Sequence, residues 1–362
     1  MKIKFRNLCP LVVLIQLGCS TPNFQSDSIR FTEKDLPEPV LLKGHKFDFP
    51  QIINPRGILV TDSKAIVFER KNVQNDKFHI IDLVSESYVQ SKGIDGLGPG
   101  EITVITQIEE LDEPNKILTF DPEVRLFSKF DLLDTNRLAE DQFRAPETAY
   151  FITKATFTSD SSFLGNAVDG WSKYLHLTNS GDTLGIFGDW KDMIKGKELP
   201  NGYKEEELDA NLVSSLFQGP LKINSSKKYA IKVGLRANYI DIIQIKDHKI
   251  LTLFGSEKDI PDFEIGYWDG YQMPSLNPNS PTIYGDVYAG KASFFVLFKG
   301  KPYSQISDMT NLNRIFEFDY KGKILNQYQL DYPLFGFSID ENNRKIYGVT
   351  TDEEPNLVRF DY

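Results

Sequence analysis

The chain has 362 residues, 40% hydrophobic and 25% charged, enough for a sizeable core and unlike a disordered chain. Its formal charge of −10 opposes nucleic-acid phosphates and anionic lipid headgroups, so neither is an expected partner. Aromatic residues reach 12%, with 26 Phe and 16 Tyr against 4 Met, a usage that favours strands.

The first segment carries Lys2, Lys4 and Arg6 and then a short apolar run containing Val12, Val13, Leu14 and Ile15. About ten apolar residues are too few to span a bilayer, so residues 1–18 are expected to be a cleaved signal peptide. Gly18-Cys19 follows, then polar residues from Ser20 on. This pattern resembles a lipoprotein signal, which implies that Cys19 becomes the lipidated N-terminus and that the protein sits lipid-anchored on the outer membrane of the cell envelope. Gln16 departs from the aliphatic residue usual in that motif, and an ordinary secretory signal is the alternative. Residues 19–36 are expected as a tether and 37–362 as the folded domain. The only two cysteines are Cys9 and Cys19, so that domain has no disulfide, thiol nucleophile or thiolate metal site.

Beyond residue 50, short alternating runs are separated by turn residues, with no long helical period. A strand ending in a polar residue and followed by a tight turn recurs six times. It appears as Phe78-His-Ile-Ile-Asp82, Leu126-Phe-Ser-Lys-Phe-Asp131, Tyr174-Leu-His-Leu-Thr178, Ile240-Asp-Ile-Ile-Gln-Ile-Lys246, Ile315-Phe-Glu-Phe-Asp319 and Leu357-Val-Arg-Phe-Asp361. The final residues are 49, 47, 68, 73 and 42 apart, a basic period in the forties with two insertions. That is the length of a four-stranded propeller blade, and each landmark fits as a third strand. The expected fold is all-β, a six-bladed β-propeller with four-stranded blades. The sixth copy stops after its third strand, so 39–49 is expected to supply the missing outer strand and close the ring from the N-terminus.

The second half also resembles a known family. Phe294-Phe-Val-Leu-Phe-Lys-Gly-Lys301, Ile315-Phe-Glu-Phe-Asp-Tyr-Lys-Gly-Lys323, Tyr328-Gln-Leu-Asp331 and Phe337-Ser-Ile-Asp-Glu-Asn-Asn-Arg-Lys-Ile-Tyr347 are similar to the blade and turn signatures of the TolB-like six-bladed propeller lipoproteins of the bacterial envelope, as is Gly96-Leu-Gly-Pro-Gly-Glu101. The resemblance implies the fold and the address. It brings no catalytic residues with it.

Loops alternate between the two faces of a propeller. Links between first and second strands, and between third and fourth, are expected to be tight. Nearly all the length falls on the other face, at 94–101, 169–173, 189–217, 256–282 and 299–313. Long loops on one side of a rigid scaffold are where binding usually sits. Trp171, Trp190, Tyr267, Trp268 and Tyr271 lie there and are the candidate ligand contacts, suited to stacking on a sugar or gripping a protein. Glu101 is expected either to line the channel mouth or to accept from the amides of its own glycine-rich loop, where glycines permit positive φ. Residues 204–217 carry Leu208, Leu212, Val213 and Leu216 at helical spacing and are expected to form a short helix. The four histidines are far apart in sequence, with no pair at metal spacing, and no nucleophile elbow occurs. The expected function is therefore a non-catalytic binding or assembly module for an envelope protein or glycan, monomeric, without cofactor or metal, touching the membrane through its lipid alone. A propeller lyase or hydrolase acting on a glycan or lactone is the alternative.

Overall fold

A computed structural model describes residues 27–74, 76–168, 170–308 and 314–362. Cys19 and the expected signal peptide lie outside the described residues. Successive side chains of a strand point to opposite faces, and here both faces are buried. In the strand Lys64–Glu69, Ala65 and Val67 enter one apolar cluster while Ile66 and Phe68 enter the next. This double burial repeats around a ring of six four-stranded sheets. The first comprises Pro55–Thr61, Lys64–Glu69, Phe78–Asp82 and Ser87–Lys92, and the second Gln107–Glu110, Lys116–Asp121, Leu126–Asp131 and Asp141–Arg144. The third comprises Ile152–Ser159, Ser162–Ala167, Ser172–Thr178 and Thr183–Asp189, and the fourth Leu221–Ile223, Tyr229–Val233, Tyr239–Gln244 and Lys249–Phe254. The fifth comprises Pro281–Ala289, Ser293–Pro302, Arg314–Asp319 and Ile324–Leu330. The sixth takes Leu334–Asp340, Lys345–Thr350 and Leu357–Asp361 from the C-terminus. Each of the six seams between neighbouring blades holds its own apolar cluster, and the first strands of adjacent blades meet around the axis.

All six landmark strands are third strands. Their recurrent terminal Asp has a local cause. The Asp82 carboxylate accepts from the amides of Val84 and Ser85 at 3.0 and 2.8 Å. Asp131 accepts from Leu133, and Asp319 from Lys321 and Lys323. A short acceptor that caps its own turn is what Asp offers.

Three N-terminal strands run along the outside of the disc. Strand β1 (Asp27–Arg30) lies parallel on the outer strand of the fourth blade, with Arg30 opposite Phe254. Strand β2 (Val40–Leu42) does the same on the fifth, with Leu42 opposite Leu330. Strand β3 (Gly44–Lys46) pairs antiparallel with Leu357–Asp361, Gly44 opposite Phe360, and is the fourth strand of the sixth blade. The expected closure from the N-terminus is present, but of the expected run 39–49 only Gly44–Lys46 joins blade six, while Val40–Leu42 joins blade five. The segment expected as a tether up to residue 36 differs, since from Asp27 it hydrogen-bonds to blade four and sends Phe31 into the seam between blades four and five.

Links on one face are two to five residues long, with one exception. Residues 132–140 of the second blade were expected to be tight and instead fold back onto the first blade, where Gln90 donates to the carbonyls of Leu132 and Asp134 and Arg137 pairs with Asp76. The other face carries the two large insertions, 190–220 and 255–280. In the first, Asp209 accepts from the Leu212 amide at 2.9 Å and starts helix α1 (Ala210–Leu216). The helix is shorter than expected because Glu205–Glu207 forms a separate 3-10 turn before that cap. The second insertion is a hairpin, Phe263–Trp268 with Tyr271–Leu276, lying against α1. Together the two insertions bury their own apolar cluster above blade four.

Candidate functional site

The axis opens on the long-loop face as a cavity of about 350 Å³. Its wall is built from the starts of the first strands of the blades, so neighbouring lining residues are far apart in sequence. Among the described residues five cationic side chains reach it, Arg56, Lys154, Lys222, Arg236 and Lys299, against one carboxylate, Asp286. Gln107, Gln218, Thr153 and Thr282 add hydrogen-bonding groups, and Phe68, Phe335, Leu235 and Tyr303 add apolar wall.

Asp286 is already engaged. It accepts from the amide of Phe337 at 3.0 Å and of Val287 at 2.9 Å, and Lys222 Nζ lies 3.2 Å away. Arg236 donates to the Ser280 carbonyl at 2.8 Å. The remaining cations have no carboxylate partner among the described residues. Lys154 Nζ donates to the Thr106 carbonyl at 2.8 Å. Lys299 Nζ sits 4.6 Å from the centre of the Phe335 ring, onto which Arg70 also packs. Burial, with Arg56 beside it, pushes the Lys154 ammonium down to about 7, and burial does the same for Lys299. Burial also lowers Arg56. Gln107 Oε1 is buried with no hydrogen-bond partner among the described residues. A cation-rich cleft with low-dielectric walls concentrates anions, here in a chain whose net charge is negative.

The aromatic candidates divide by environment. Tyr267, Trp268 and Tyr271 are at the exposed tip of the hairpin, Trp268 being 77% exposed. Trp190 is fully buried and stacks on Phe217 at 5.9 Å between ring centres. It covers an internal ion pair in which Lys173 Nζ is 2.5 Å from Asp241 while Tyr174 and Thr252 donate to the same carboxylate. Its indole is a packing element and offers no face to a ligand. Trp171 is half-buried, with Lys191 Nζ 4.7 Å from its ring centre. The Glu101 carboxylate accepts from the Gly98 amide at 2.7 Å, the loop-binding option. A side chain at Gly96 would collide with that carboxylate. Neither these aromatics nor Glu101 line the axial cavity.

Sequence spacing missed the funnel, because it draws its cations from different blades. It missed a histidine pair for the same reason. His176 Nδ1 lies 2.9 Å from His248 Nε2, and the outer nitrogen of His176 is 2.8 Å from Thr158 Oγ1. Burial, then His248, lowers His176 to about 4. Among the described residues no helix is long and apolar enough to cross a membrane.

The profile of the TolB-like 6-blade propeller family matches residues 31–342. A solved structure from Bacteroides fragilis NCTC 9343, named as an exported protein, aligns with a TM-score of 0.52 at 14% identity, over 92% of this chain and 98% of that one. A DUF4221 family member from Bacteroides vulgatus ATCC 8482 aligns with a TM-score of 0.55 at 10% identity, over 88% of this chain and 95% of that one. At such identities the likeness concerns the fold. No curated protein sequence matches the chain.

Proposed function

The chain belongs to the TolB-like six-bladed propeller family, and on that scaffold we propose that it is a binding module of the cell envelope whose axial funnel holds an anionic ligand. The observation that carries the reading is the set of cavity cations, Arg56, Lys154 and Lys299, that lack a carboxylate partner among the described residues. An enclosed cation without a counter-ion is costly, and a bound anion would remove that cost. The ligand is a small anion or the anionic end of a longer envelope molecule such as a glycan. In this reading Tyr267, Trp268 and Tyr271 are a second contact, for the body of a larger partner, while Trp171, Trp190 and Glu101 support the loops. The Gly18-Cys19 signal supports lipid anchoring, and the name of the Bacteroides fragilis neighbour supports export.

Isothermal titration with citrate, inorganic phosphate and neutral glucose tests the funnel. The reading expects an anion to bind and glucose not to, with affinity falling as salt rises. Absence of heat with every anion would remove it. Anchoring has its own test, because Cys19→Ala should shift the protein from the membrane fraction to the soluble or unprocessed pool.

A further inference from the structure

We propose that Lys154 is a nucleophilic amine that forms a reversible imine with the carbonyl carbon of an anionic oxo acid held in the funnel. The inference rests on the anion-binding reading and adds a covalent step to it.

The geometry comes first. Lys154 lies on the first strand of blade three, with its amine at the wall of the axial cavity. Its one hydrogen bond among the described residues goes to a neutral acceptor, the Thr106 carbonyl at 2.8 Å. No carboxylate among the described residues pairs with it, unlike Lys222, which is held by Asp286 at 3.2 Å, or the buried Lys173, held by Asp241. Donation to Thr106 by one N–H leaves the nitrogen lone pair free to face the cavity when the amine is neutral. Burial first, then Arg56 and Lys222, lower the Lys154 ammonium, and Asp286 opposes them. Enclosure outweighs Asp286 and leaves the ammonium at about 7, so neutral nucleophile and ammonium coexist at neutral pH. Lys299 is the competing amine, but it is 5% exposed and held over the Phe335 ring.

The same surroundings select the substrate. Arg56 makes no ion pair among the described residues and can take a carboxylate, leaving the adjacent carbonyl for Lys154. Attack forms the C–N bond while the carbonyl π pair moves to oxygen, and one proton passes from the now cationic nitrogen to that oxygen to give the neutral carbinolamine. The carbinolamine then expels that oxygen as water with a second proton from the Lys222 ammonium, and the nitrogen lone pair closes the C=N bond. The nitrogen proton returns to Lys222. Amine plus carbonyl gives imine plus water, with no change of oxidation state.

The test is reductive trapping. The full-length protein is incubated with pyruvate and sodium cyanoborohydride, and adducts are counted by intact-mass and peptide mass spectrometry. One adduct per chain is expected, at Lys154, formed at least about tenfold faster than at surface lysines, with a rate that rises through about pH 7. Lys154→Arg removes the nucleophile and should lose the adduct, while Trp268→Ala, outside the cavity lining, should form it as the parent does. Adducts scattered over surface lysines, a single adduct on Lys299, or none would overturn the inference. If trapping fails while citrate still binds, the imine falls and the anion site stands. If neither occurs, both fall.

Discussion

Trp190 is fully buried against Phe217 and above the Lys173–Asp241 pair. Trp190→Ala should therefore cost about 3–5 kcal/mol, read by chemical denaturation, because the cavity it leaves is walled by helix and strand. Trp268→Ala, at a side chain 77% exposed, should change stability by less than about 0.5 kcal/mol. Equal losses in the two variants would contradict this division. His176 gives a pH dependence with a defined sign. Its folded value is about 4, below the ordinary 6.5. Between those limits the unfolded chain binds more protons, so acidification favours unfolding. Stability from this residue is fully present above about pH 6.5 and is lost progressively towards about pH 4. His176→Gln should flatten the stability-against-pH curve in that window, and an unchanged slope would rule the pair out as its source.

Strand β3 closes the sixth blade, and β1 and β2 extend the fourth and fifth. Removing residues up to Arg30 strips a four-residue strand whose side chains are exposed, and should cost on the order of 1 kcal/mol. Removing residues up to Lys46 also takes Phe31 and Leu42 out of two seams and leaves a blade edge open. That truncation should cost at least about 3 kcal/mol in chemical denaturation and promote aggregation. Similar stability for both truncations would contradict the closure. At this scale the sequence was readable. Each third strand ends in its own turn signal, such as Asp82 or Asp319, and those signals are local. The missing fourth strand of blade six was found by counting. Strand β1 was not expected, because Asp27–Arg30 is short, with Ile29 its one apolar residue, and nothing in it marks a partner. Residues 40–42 were read as strand but assigned to blade six, whereas they pair with blade five.

Taken whole, the molecule is an acidic ring with a basic hole. Arg56, Lys154, Lys222, Arg236 and Lys299 come from four blades, and only closure of the ring brings them together. No linear spacing encodes that convergence, which is why the aromatic loops stood out in sequence and the funnel did not. The hairpin at Tyr267–Tyr271 is separate from the cavity lining, so a small anion should not sense it. The most direct measurement is isothermal titration of citrate into the parent protein, Arg56→Gln and Trp268→Ala, each checked for an intact thermal transition. The account predicts that Arg56→Gln weakens citrate at least about tenfold, roughly 1.4 kcal/mol, while Trp268→Ala binds as the parent does. Parent-like binding by Arg56→Gln, or a matching loss in Trp268→Ala, would contradict it.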